Sequence, residues 1–127
     1  MNGRAVFGLA ALCVLTGALT ACQSPGGLAE KAPTWTAAYG VPYDALTNCI
    51  VEREKSPLVT VTPTFYAQQR RATVAVTAPT GSALGVYDIR QISSGGTEVA
   101  YRSIYGGPNT DAGGAAFEKA KRCGNAA

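Results

Sequence analysis

Four cysteines, at positions 13, 22, 49 and 123, are the residues of this 127-residue chain whose chemistry is most specific, and no histidine accompanies them. A thiol can be acylated, paired or made a metal ligand. Without an imidazole, Cys–His and Ser–His–Asp catalysis and histidine metal sites are excluded. The eight acidic residues form no clustered motif. Glu52 and Glu54, the nearest pair, point to different faces of an expected helix, a poor arrangement for paired acid–base work. The chain therefore reads as a non-enzyme that needs no cofactor.

The chemistry of Cys22 follows from what precedes it. Arg4 gives a positive start, and an apolar run follows from Ala5 to Leu19, interrupted by Gly8 and Gly17. About fifteen residues are too few to span roughly 30 Å of hydrocarbon comfortably, but they suit the apolar region of a signal peptide. An ordinary secretory cleavage would place Leu19 at a position that favours a small residue, and an uncleaved anchor helix would need a longer run. The ending Leu19-Thr20-Ala21-Cys22 resembles the lipobox of bacterial lipoproteins: aliphatic, small, small, cysteine. That resemblance implies a diacylglycerol on the Cys22 thiol, removal of residues 1–21 and acylation of the new amino group. It implies a membrane partner through this acyl anchor. Gln23, standing where an aspartate would favour the inner membrane, points to the outer membrane facing the periplasm.

On the same resemblance Cys13 is discarded with the signal and Cys22 carries lipid, which leaves Cys49 and Cys123 to form a disulfide outside the cytoplasm. Cysteines so paired are not available as zinc ligands. The mature part, residues 22–127, is long enough for one small domain. Without Arg4 it carries ten basic and eight acidic residues. Such a mixed-sign surface, with only small clusters at Arg70-Arg71 and Lys119-Lys121-Arg122, argues against a nucleic-acid partner.

The elements expected to position these cysteines follow in order. Residues 22–40, rich in Gly, Pro, Ala and Ser, read as the lipidated cysteine and a flexible tether, with Trp35 packing at the edge of the domain that follows. Residues 41–127 read as a single α+β domain. Pro42–Glu54 is expected to be a helix that opens on Pro42 and carries Leu46, Cys49 and Ile50 on one stripe. Ser56-Pro57 ends it. Leu58–Tyr66 alternates but contains Pro63, so it is an edge strand. Strands are expected over 72–78, 84–92 and 97–104, joined by turn residues 79–82 and 94–96. A last helix runs from Asp111, as N-cap, to Cys123, with Gly124 as its C-cap.

The expected fold is thus a small antiparallel sheet of three to four strands, with an N-terminal and a C-terminal helix packed on one face and tied by the Cys49–Cys123 disulfide. Turn lengths set Ala78 opposite Ala83, Val74 opposite Tyr87, Ala72 opposite Ile89, Ile89 opposite Tyr101, Gln91 opposite Val99 and Asp88 opposite Arg102. Ala72, Val74, Val76, Tyr87, Ile89, Val99 and Tyr101 then form one apolar face. The other face is mixed, with Val86, Ile92 and Ile104 among Asp88, Arg90 and Arg102, and is either a solvated face or a binding surface.

Two functions fit. The first is a lipid-anchored envelope lipoprotein whose domain binds an envelope protein or has a structural role. The second is an inhibitor or small-ligand binder: Ser93-Ser94-Gly95-Gly96 followed by Tyr101 is similar to the Ser-Gly-rich loop of lysozyme-blocking lipoproteins, over about ten residues. Too few strands are expected for the barrel of those inhibitors.

Overall fold

Period-two alternation builds the framework. In the computed structural model, which describes residues 24–92, 95–104 and 111–125, a short helix α1 (Pro25–Ala29) precedes strand β1 (Trp35–Tyr39) and helix α2 (Tyr43–Glu54). Strands β2 (Thr60–Tyr66), β3 (Arg71–Thr77), β4 (Ala83–Gln91) and β5 (Thr97–Ser103) follow, and helix α3 (Asp111–Asn125) ends the described chain. All neighbouring strands are antiparallel, in the order β1-β5-β4-β3-β2. The sheet has five strands rather than three to four. The extra one is β1, drawn from the expected tether.

That is the main correction. Residues 24–40 are built into the domain by two local signals. Ser24 caps α1, its hydroxyl oxygen accepting from the Gly27 N–H at 3.1 Å, and Pro25 occupies the first turn, where a missing N–H is harmless. In β1, Trp35, Ala37 and Tyr39 alternate with the more exposed Thr36 and Ala38. Trp35 is buried in the core rather than set at the domain's edge. Its ring stacks on Tyr101 at 5.4 Å between centroids and meets Phe117 edge-on at 5.3 Å.

The seven residues of the expected apolar face are all buried. Helices α2 and α3 cover this face through Leu46, Ile50, Ala116 and Ala120, and the Cys49–Cys123 disulfide ties them with Cα atoms 5.7 Å apart. Pro42 is the N-cap of α2 rather than its first residue, and Thr47, fully buried, returns its hydroxyl to the Tyr43 carbonyl at 2.6 Å. Gly124 does not end α3. The helix continues to Asn125, and Gly124 instead lets the Tyr39 ring approach so closely that a Cβ there would lie 2.2 Å from a ring carbon.

The β3–β4 register agrees with expectation at Val74–Tyr87 and Ala72–Ile89, then slips at a bulge, so Thr77, not Ala78, faces Ala83. The β4–β5 register is displaced by two residues. Tyr101 faces Tyr87 instead of Ile89, Val99 faces Ile89 instead of Gln91, and Asp88 faces Ala100 while Arg102 faces Val86. The cause is the choice between adjacent glycines. Gly95, at φ +84°, takes the left-handed position, and the Ile92 N–H closes the turn on the Gly96 carbonyl at 2.9 Å. Moving the turn by one residue changes the pairing by two, so each side chain keeps its face.

No helix among the described residues is long and apolar enough to cross a membrane. The signal segment, Cys22, Ser93 and Ser94 lie outside the described residues, as does the Asp111 side chain; Asp111 is the first residue of α3 rather than its N-cap.

Candidate functional site

The sheet's second face, opposite the helix pair, holds the residues singled out in the sequence, and the structure separates them. Val86 is covered: Leu28 of α1, itself fully buried, packs with Val86, Ala83 and Ala75. Arg102 is half-buried, and its Nε donates to the Lys31 carbonyl at 2.5 Å. Asp88, with its side chain 14% exposed, binds Arg71 rather than Arg102. The Arg71 Nε donates to Asp88 Oδ1 at 2.9 Å and Nη2 reaches Oδ2 at 3.4 Å, while Arg90 stands 3.9 Å from the same carboxylate. Ile92 and Ile104 are exposed, but at opposite ends of the β4–β5 hairpin. These six residues do not form one patch.

Of the six, only Val86 borders a groove, of about 390 Å³, on this face. Pro25, Gly26 and Ala29 form one wall. The floor is Thr62, Thr64 and Tyr66 of β2, Arg71, Thr73, Ala75 and Thr77 of β3, and Val86 of β4. Period two explains the row of hydroxyls, because Val61, Pro63 and Phe65 alternate with those threonines and so point the other way. Thr64 lies opposite Thr73 in the ladder, and the Thr77 hydroxyl donates to the Thr60 carbonyl at 3.4 Å. At one end the Arg71 guanidinium sits 5.3 Å from the centre of the Tyr66 ring. The hydrogen bond to Asp88 holds the Arg71 pKa above its ordinary value.

The groove therefore offers alternating methyl and hydroxyl groups, a phenol and one paired cation. None of the described residues lining it is a carboxylate, thiol or imidazole. The groups present can make hydrogen bonds and apolar contacts to a polar, amphipathic surface. The sequence signal was present in the Thr-x-Thr-x-Thr spacing at 60–64 and in Thr73 and Thr77, but only α1 makes a groove of it.

A second polar constellation lies in the core. Glu54, at the end of α2 with its side chain 10% exposed, accepts from the Tyr87 hydroxyl at 2.5 Å and from Lys119 Nζ at 3.2 Å. Burial, then the neighbouring Glu54 charge, pushes the Tyr87 phenol far above its ordinary pKa. One carboxylate thus joins α2, the sheet and α3. Among the described residues no group of three His, Cys, Asp or Glu side chains is placed to hold a metal ion.

No protein-family model, no curated protein and no solved structure matches this chain.

Proposed function

We propose that this protein is a lipid-anchored lipoprotein of the cell envelope, held through Cys22 at the outer membrane facing the periplasm. Its domain is a non-enzymatic interaction module. The observation that carries this reading is Leu19-Thr20-Ala21-Cys22 at the end of an apolar run of signal-peptide length. The Cys49–Cys123 disulfide supports it, since such bonds persist in compartments outside the cytoplasm. The described residues lining the hydroxyl-rich groove beside α1 include no carboxylate, thiol or imidazole, which favours docking over turnover for the domain. An envelope protein is the expected partner.

Metabolic labelling with a palmitate analogue tests the anchor. Wild-type protein is expected to be labelled and the Cys22→Ser variant unlabelled; a labelled Cys22→Ser variant contradicts the assignment. Cross-linking in intact envelopes tests the module, with one stoichiometric protein partner expected.

A further inference from the structure

The described chain begins against the second face of the sheet. Ser24 is fixed as the cap of α1, Leu28 is fully buried against Val86, and Arg102 holds the Lys31 carbonyl. The Thr34 N–H then donates to the Tyr101 carbonyl at 2.6 Å, and the Thr34 hydroxyl accepts from the Ser103 N–H at 3.0 Å. The chain from residue 24 onward is therefore clamped to the fold. Cys22 lies two residues before Ser24, a reach of about 7 Å at full extension. The headgroup layer on each side of a bilayer is itself about 5–8 Å deep. An acylated Cys22 would leave α1 no room to stand away from the membrane.

Resting on the proposed lipidation of Cys22, we infer that the domain does not swing on a tether but sits on the lipid headgroups, with the groove face of the sheet turned toward them. The partner of this face is a phospholipid surface. Its chemistry suits one: threonine hydroxyls hydrogen-bond headgroup oxygens, Tyr66 is an amphipathic ring of the kind that sits at membrane interfaces, and Arg71 and Arg90 outnumber the Asp88 carboxylate they share. Helices α2 and α3, on the opposite face of the sheet, are left to the periplasm, so an envelope protein would approach over them or over the sheet's edges.

The test uses the full lipidated protein in vesicles of phosphatidylethanolamine and phosphatidylglycerol that carry a headgroup quencher. A fluorophore is placed either at Thr64→Cys, on the groove face, or at Glu52→Cys, on the exposed side of α2. Quenching is expected to be about threefold or more stronger at position 64, since a sheet and a helix layer of about 10 Å separate the two sites. Inserting about ten Gly/Ser residues between Gln23 and Ser24 is expected to abolish the difference, because such a linker reaches roughly 20 Å. Equal quenching without the insertion, on protein whose mass shows lipid on Cys22, overturns the orientation and leaves the anchor standing. A mass that shows no lipid on Cys22 overturns both.

Discussion

Arg102 and Lys31 are joined across the second face of the sheet, the guanidinium Nε donating to the backbone carbonyl at 2.5 Å. This bond takes a side chain that resembles a free surface charge and uses it to hold the N-terminal segment. It also accounts for the absence of the Asp88–Arg102 pair. With the register displaced by two, Arg102 lies beside α1, and Asp88 is left to Arg71.

Leu28 is the apolar counterpart of that bond. Leu28→Ala is expected to lower stability by about 2–3 kcal/mol, the range for a buried leucine whose site relaxes in part. The urea midpoint of wild type and variant measures it. An unchanged midpoint would show that α1 contributes nothing to the fold.

The disulfide closes a loop of 74 positions. Its removal by Cys49→Ser with Cys123→Ser is expected to cost about 3–5 kcal/mol, the chain entropy that the cross-link withholds from the unfolded state. Thermal melting of the oxidised, reduced and doubly substituted proteins gives the comparison.

Tyr87→Phe leaves one oxygen of the nearly buried Glu54 carboxylate without its donor. A loss of about 1–3 kcal/mol is expected, as for other unsatisfied buried groups. Glu54→Gln in the same background should cost less than it does alone, since the two residues share one interaction. A double-mutant cycle reads this directly.

Burial raises the pKa of Tyr87 and Tyr101 above the ordinary phenol value of 10.0, and burial does the same to Tyr39. The folded state keeps these protons while the unfolded chain releases them. Their contribution is therefore complete below about pH 10 and is lost as the pH rises further, by up to about 1.4 kcal/mol per pH unit for the buried Tyr87 and much less for the solvent-screened Tyr39. Glu54 and Lys119 are the charged groups at the Tyr87 end of this cluster. Denaturation midpoints between pH 8 and 11 should fall, and less steeply in Tyr87→Phe.

Gly124→Ala sets two effects against each other. Helix propensity gains about 1 kcal/mol. The new Cβ meets the Tyr39 ring at 2.2 Å, and overpacking of that kind costs about 1–3 kcal/mol. Destabilisation is expected, measured by thermal melting against a control alanine at an exposed helical site.

The core was legible because alternation and helical stripes report it redundantly: Val74, Tyr87, Leu46 and Ala120 each sit where their spacing places them. The register of β5 was not, because Gly95 and Gly96 are equivalent in sequence and only one takes the left-handed position. The N-terminal segment was obscured by its Gly- and Pro-rich composition, although Ser24-Pro25 and the alternation of Trp35, Ala37 and Tyr39 carried the signal. The groove needed tertiary information, since its wall and floor lie more than thirty residues apart in the chain.

Amide hydrogen exchange over residues 24–40 tests most directly whether this segment belongs to the domain. The N–H groups of Leu28 and Thr34, bonded to the Ser24 and Tyr101 carbonyls, are expected to exchange as slowly as their neighbours in β5. Exchange at the rate of an unstructured chain throughout 24–40 would contradict the clamped segment, and with it the membrane-facing groove.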